Sequence, residues 1–243
     1  MTWWMNQPMA ASSLGFRLRE LARRAAMSGE PLPGEPTLAN ELGVSRPALR
    51  EELARLESEG FLRRRQGAGT IVNPGAFEIR ARFDQQVEFA DVLRDAGYEA
   101  TVDVLESGPV LLGAADADAL GLTAGVPALR TVKRWRADGR PAMVAVDVIP
   151  ATLDIDLHGL DPSAGLFELV RQVRGTGVEW ELAWPGAALA TAAVRRWLQL
   201  ASKAAVLTLD LIGVSRRGER AYRATEYQVP GIVRPGFVRS VRT

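Results

Sequence analysis

Thirty-five consecutive residues leave few folds open to this chain. From Leu38 they read LANELGVSRPALREELARLESEGFLRRRQGAGTIV. Leu38 and Leu42 lie one helical turn apart, and Gly43 closes that short helix. Ser45 has the hydroxyl of an N-cap, so a second helix starts beside it. Leu49, Leu53 and Leu56 stripe one side of this helix, and Gly60 stops it. FLRRR and GTIV then read as two short strands around Gln66-Gly67-Ala68-Gly69, which is the pattern of a hairpin. Upstream, Leu14, Leu18, Leu21 and Ala25 predict an amphipathic helix ending near Ser28 and Gly29. The Pro- and Gly-rich EPLPGEP joins it to the helix pair.

A short helix, a tight glycine turn and a second helix form a helix-turn-helix. On DNA such a unit lays its second helix in the major groove, with the N-terminal residues on base edges. Arg46 and Arg50 stand one turn apart at that end. There an arginine reaches guanine O6 and N7 with both arms, or a phosphate. Pro47 falls in the first turn, where a missing N–H costs nothing. The free N–H groups at the helix start favour a phosphate nearby. Arg63, Arg64 and Arg65 lead into a hairpin tip that lacks bulky side chains, as a wing against a sugar-phosphate backbone requires. The competing reading is a solvated helix whose Glu51, Glu52, Glu57 and Glu59 pair with its arginines. The order of the parts favours the winged reading.

Composition bounds the rest. With 243 residues the chain has room for two modest domains. Hydrophobic residues make up 47% and charged residues 24%, ordinary for a globular protein. No apolar run approaches the roughly 20 residues needed to cross a bilayer, so no membrane partner is expected. The opening MTWWMNQPMAASSL has no positive n-region, so a secretory leader is not expected and the cytoplasm is the default compartment. The absence of cysteine removes disulfides, thiolate nucleophiles and cysteine-bound metals together. Lys133 and Lys203 are the only lysines, and the net charge of +1 is too small for a binder that relies on phosphate neutralisation alone.

The predicted organisation is a winged helix-turn-helix over residues 1–73, a linker over 74–82, and an α+β domain over 83–243. QQVEFADVLRDAGY predicts a helix in the second domain. An internal echo follows. LGLTAGVPAL at 120–129 matches LQLASKAAVL at 198–207. Each copy follows an alanine-rich helical stretch, and each leads through a strand, a glycine turn (ADGRP, then RRGER) and a further strand ending at proline. One helix-turn-strand-hairpin unit used twice in a mixed, largely antiparallel sheet fits this spacing better than a solenoid.

The first segment, over about residues 14–73, resembles the winged helix-turn-helix of GntR-type bacterial regulators, which read LAxxLGVSRxTVREALxxLExEGLVxxxxGxGTFV. The resemblance implies DNA contacts at Thr37, Ser45, Arg46, Pro47, Arg50, Arg63, Arg64, Arg65, Gln66, Gly67, Gly69 and Thr70. This chain departs from the pattern by a shortened connection before the second helix. It also places Gly34-Glu35-Pro36 where the family carries Ser-Glu-Arg, and Ala48 and Ala68 where the family has a threonine and a cation.

The remainder is similar to the UTRA sensing domain of the HutC subfamily, whose fold is related to chorismate lyase. The resemblance implies a small-molecule effector, a homodimer on a palindromic operator, and no cofactor. It implies effector contacts at Arg134 and Arg136, which match an R-x-R strand and suit an anion. A half-exposed strand that simply turns alternate residues to water is the other reading. Asp147 stands two residues beyond Ala145, where the family has a glutamate. Tyr222 and Thr225 replace a glutamate and an arginine, with Glu226 next to them. Glu88 replaces a serine, and its carboxylate repels a phosphate, which favours a less anionic or more apolar ligand. Trp135, Trp180, Trp184 and Trp197 either line a pocket for a flat ligand or serve core and interface, with Trp180 and Trp184 in a loop region the stronger pocket candidates.

The function these readings point to is a sequence-specific transcription regulator, in the form of a repressor relieved by an effector. The alternatives are an enzyme built on the second domain and a constitutive DNA binder whose sensor has lost its ligand. Enzymatic chemistry finds no nucleophile–base pair and no phosphate loop in the sequence. His158, the one histidine, lies in the turn-like DLHGLDP, and Asp154 and Asp156 sit beside the same turn.

Overall fold

The computed structural model describes residues 14–65, 69–79, 81–84, 86–151 and 155–239. They fall into two compact units, Met1–Arg80 with Pro235–Thr243, and Ala81–Arg234. The segment from Pro235 therefore groups with the first unit, whereas the sequence reading placed it in the second domain. Its anchor is Val238, which packs on the core of the first unit.

That unit holds α1 (Leu14–Ser28), α2 (Glu35–Leu42), α3 (Arg46–Ser58), β1 (Leu62–Arg65) and β2 (Gly69–Val72). Leu18, Leu38, Leu49, Leu53, Leu56 and Phe61 are all at most 1% exposed and form one core. Each such burial stabilises by about 1.5–3 kcal/mol. Gly43 ends α2 in the left-handed region (φ 64°), and the Val44 N–H then bonds back to the Ala39 carbonyl at 3.0 Å. This turn aims α3 across α2. The Ser45 hydroxyl caps α3 by accepting from the Ala48 N–H at 3.4 Å. β1 and β2 pair antiparallel from Leu62↔Val72 to Arg65↔Gly69. Gly60 ends the α3 turn at φ 78°, and a Cβ there would meet Val238 Cγ1 at 2.6 Å.

In chain order, the second unit holds α4 (Phe89–Asp95), β3 (Ala100–Leu111), α5 (Ala114–Leu120), β4 (Pro127–Ala137) and β5 (Arg140–Pro150). A second series follows, α6 (Leu166–Arg174), β6 (Val178–Leu189), α7 (Ala192–Leu198), β7 (Ala205–Ser215) and β8 (Arg220–Gln228). The six strands form one sheet in the order β3-β4-β5-β8-β7-β6. Every pairing in it is antiparallel, so the mixed sheet expected from sequence gives way to a uniform one. The repeat is also larger than the echo suggested. Helix, long edge strand, short helix and hairpin recur as α4-β3-α5-β4-β5 and α6-β6-α7-β7-β8, joined at the β5–β8 seam.

Cross-strand partners share a face of a sheet. One face carries Leu129, Ile149, Leu209 and Leu211, which α6 covers with Leu169, Val170 and Val173. On the opposite face α5 packs Ala117 and Leu120 against Ala128 and Val148. Beside it α7 packs Val194 and Leu198 against Val132, Val144 and Val206.

Candidate DNA interface and candidate effector site

At the start of α3, Ser45, Arg46 and Pro47 are all exposed, as is Thr37 in the first turn of α2. Arg46 has no hydrogen-bond or ion-pair partner among the described residues. Arg50 donates its Nε to Glu35 Oε2 at 2.7 Å while keeping 64% of its side chain in water. Glu35 stands in the Gly34-Glu35-Pro36 segment that departs from the family pattern. By taking Nε, it holds the guanidinium and leaves the terminal nitrogens free for an acceptor pair such as guanine O6 and N7.

The wing arginines differ among themselves. Arg63 is exposed, opposite the exposed Ile71 in the ladder, with no hydrogen bond or ion pair from its side chain among the described residues. Arg64 is committed inward. Its backbone N–H and its Nε meet the two oxygens of Glu57 at 2.9 and 2.8 Å, which braces the wing on α3. The Arg64 N–H is also the main reason why the Glu57 carboxyl lies below its ordinary range. The Arg65 backbone pairs with Gly69, which takes φ +77° at the wing turn. The side chain of Arg65, and Gln66 and Gly67 altogether, lie outside the described residues. Thr70 is only 9% exposed and bridges Leu32, so it ties the wing to the connection between α1 and α2.

In the second unit the register separates the six residues expected to meet an effector. Thr131 faces Asp147, Asp147 faces Ala224, Lys133 faces Ala145, and Ala145 faces Glu226. Glu181 faces Gly213, which in turn faces Tyr222. These groups all lie on the face that α6 covers. The Tyr222 ring crosses directly over Gly213, where a Cβ would come within 2.0 Å of it, and its phenol donates to Glu181 Oε1. Glu88 stands at the N-cap position of α4 without a side-chain cap hydrogen bond, and its Oε1 lies 3.7 Å from the position a Cβ would take on Gly165.

Arg134 and Arg136 do not join them. Arg134 neighbours Lys133 on the strand and so points the other way. Its Nε and Nη2 reach Asp103 Oδ2 at 2.9 and 2.7 Å, and its Nη1 donates to the Trp197 carbonyl at 2.9 Å. Arg136, past a register shift, donates Nε to the same oxygen at 2.7 Å and Nη1 to the Gly139 carbonyl at 2.8 Å. The two guanidinium groups hold the Asp103 carboxyl below its usual range, Arg136 first. The two arginines therefore lie apart from Asp147, Tyr222 and Glu226, and among the described strand residues Lys133 is the cation that shares the face of those three.

Electrostatics on that face are unusual. Asp147 is 2% exposed, and burial pushes its carboxyl up to about 6 against the Thr131 hydroxyl bond and the charge of Lys133. Burial likewise raises Glu226 to about 7, opposed by the Gln228 amide. Glu181 is raised by burial and partly restored by Tyr222, whose own phenol is raised by burial and by Glu181. Glu88 keeps an exposed surface, yet desolvation raises its carboxyl, Asp91 adds to the rise and Lys133 opposes it. Burial lowers the Lys133 ammonium. Lys133 and Glu181 escaped sequence reading. One is a lone lysine among arginines, and the other reaches the site only through the register of β6.

On the opposite face, a cleft of about 290 Å³ is lined by Arg130, Arg223, Trp197 and Tyr227. Both of its arginines are already engaged, Arg130 with Glu106 at 2.7 Å and Arg223 with Asp116. Trp180 and Trp184 are not among the residues that line this cleft. They stand on edge strand β6, 57% and 52% exposed, with Leu182 between them at 44%. His158 is exposed, and its backbone N–H donates to Asp156 Oδ1 at 2.9 Å, while Asp154 lies outside the described residues.

A three-helix head with a two-stranded wing, followed by a doubled antiparallel sheet, is a two-unit architecture known from bacterial regulators. Residues 17–72 match the family of bacterial regulatory proteins, gntR family, and residues 95–227 match the UTRA domain. The UTRA match spans more than half of the chain, which therefore belongs to the GntR-type proteins that carry a UTRA domain. The probable transcriptional regulator PhnF of Escherichia coli (strain K12) is 34% identical over 133 residues, covering 53% of this chain and 54% of its own length. The chain spans about half the length of the curated relatives it matches, among them an HTH-type transcriptional regulator of Rhizobium meliloti (strain 1021), 32% identical over 120 residues. Among solved structures, YydK of Bacillus subtilis, a possible transcriptional regulator, superposes with a TM-score of 0.70 at 14% identity, over 95% of this chain and 100% of that one. PhnF of Mycobacterium smegmatis gives 0.59 at 19% identity, over 92% and 99%. At such identities the likeness is one of fold.

Proposed function

We propose that the protein is a cytoplasmic, sequence-specific DNA-binding regulator, a repressor whose hold on its operator loosens when a small effector fills the second unit. The observation that carries this reading is the exposed pair Arg46 and Arg50 at the capped start of α3, flanked by a wing. Two such heads in a homodimer occupy half-sites related by a two-fold axis, hence a palindromic operator. The stripe Trp180, Leu182 and Trp184 on an edge strand supports the dimer, since an exposed apolar edge of this kind calls for a partner.

The effector prefers the conformation that misplaces the two heads, and this differential affinity is the coupling free energy. On the DNA side the roles fall to Thr37, Ser45, Arg46, Pro47, Arg50 and Arg63, with the wing turn at Arg65, Gln66, Gly67 and Gly69 near the backbone. On the effector side they fall to Glu88, Asp147, Tyr222 and Glu226, joined by Lys133 and Glu181. No helix among the described residues is long and apolar enough to cross a membrane. The test is genomic footprinting with the purified protein. Discrete two-fold symmetric footprints support the reading, and uniform coverage without sequence preference refutes it.

A further inference from the structure

The α6 face of the sheet sets several carboxyl groups against one ammonium. Lys133, 3% exposed, forms no ion pair among the described residues, and its one hydrogen bond goes to the Ala164 carbonyl. Asp147, 2% exposed, has Oδ2 met by the Thr131 hydroxyl at 2.9 Å and no hydrogen-bond partner for Oδ1 among the described residues. Glu226 accepts from Gln228 on Oε2 at 2.9 Å and has no hydrogen-bond partner for Oε1 among the described residues. Glu181 and Glu226 are only half-buried and Glu88 is exposed, so the cluster opens to solvent on their side. A buried carboxylate without a counter-ion is costly, and a group left half-satisfied is costlier than one paired or absent. An anion entering here would meet these carboxyls and a lysine already turned to a carbonyl. The arginines that would welcome an anion are tied to Asp103 on the other face.

We propose that the effector of this protein carries a protonated amine or a guanidinium, which binds against the free carboxylate oxygens of Asp147 and Glu226. A cation of this kind supplies the two or three N–H donors that the unpartnered oxygens lack, and it brings the counter-charge the site is missing. The inference rests on the reading that the second unit holds the effector, and it narrows that reading to one chemical class. The raised carboxyls of Asp147 and Glu226 agree with a site short of positive charge.

The experiment uses the full chain without DNA, in calorimetry and thermal unfolding at pH 7.5. The probes are 1,4-diaminobutane, L-arginine and glucosamine, set against 1,4-butanediol, glucose, glucose 6-phosphate and inorganic phosphate. The expected result is saturable binding and a raised melting temperature with at least one amine, and neither with the neutral or anionic probes. Asp147→Asn and Glu226→Gln should each weaken that binding about tenfold or more, whereas Arg136→Gln on the opposite face should not. Binding of phosphate or glucose 6-phosphate in place of the amines overturns the proposal. So does amine binding indifferent to both carboxyl variants, and so does the absence of any response to the amines at tens of millimolar. A separate gel shift on footprinted DNA reads the regulator assignment, so a failure of one is not mistaken for a failure of the other.

Discussion

Replacing Asp147 by Asn should stabilise the second unit at pH 8 and do far less at pH 4. The Thr131 hydroxyl that donates to Asp147 Oδ2 at 2.9 Å finds an equivalent acceptor in the amide oxygen, so the hydrogen bond survives. What disappears is the cost of ionising a carboxyl that is 2% exposed. Its folded-state value of about 6 lies above the ordinary 3.8. The folded state therefore binds the proton more tightly than the unfolded state. Stability of the parent protein falls as pH rises from about 4 through about 6, then stays level. Two units correspond to about 3 kcal/mol at most. Because neighbouring carboxyls share the same protons, a gain of about 1–3 kcal/mol at pH 8 is expected. For a unit of this size that is a rise of several degrees in melting temperature. Urea unfolding at both pH values measures it. An equal effect at pH 4 and pH 8, or destabilisation at pH 8, would refute the reasoning, since either outcome means that the carboxylate is paired.

Other substitutions test other links. Leu53→Ala, at a 0% exposed position of α3, should cost about 2–5 kcal/mol in the head, read by chemical denaturation. Glu35→Gln releases the Arg50 guanidinium from its 2.7 Å ion pair and should lower operator affinity less than loss of Arg50 itself, read by fluorescence anisotropy. Trp184→Glu, on the exposed edge strand, should convert dimer to monomer in sedimentation velocity at micromolar concentration. Arg134→Ala should leave effector binding intact, because its guanidinium serves Asp103 and the Trp197 carbonyl.

The head was the most legible part of the sequence. Leucine spacing, the Ser45 cap and the Gly43 turn are local signals, and local signals fix α2 and α3 to within two residues. The doubled sheet was half legible. The echo begins at α5 and α7, where alanine-rich helices and glycine turns repeat. The α4-β3 and α6-β6 portions carry no shared motif and emerge only as geometry. Helix α4 also starts at Phe89, later than the apolar spacing suggests.

The candidate effector residues were least legible, for a physical reason. Strand side chains alternate with period two, so a one-residue offset exchanges the two faces. Arg134 and Arg136 stand out in the sequence because arginines do, while Lys133, just before them, lies on the face that α6 covers. Sequence distance hid Glu181, which the β6–β7 register brings to Tyr222. The tail was hidden likewise. Nothing in Pro235-Gly236-Phe237-Val238 announces that Val238 packs in the head.

The most direct test of the account measures operator affinity of Arg46→Ala against the parent protein, on footprinted DNA and on a scrambled duplex, at two salt concentrations. If Arg46 reads a base, specific affinity falls by about 1–3 kcal/mol while affinity for the scrambled duplex changes little. Equal affinity of the two proteins for the operator, or an equal loss on both duplexes, would contradict a recognition helix that begins at Arg46.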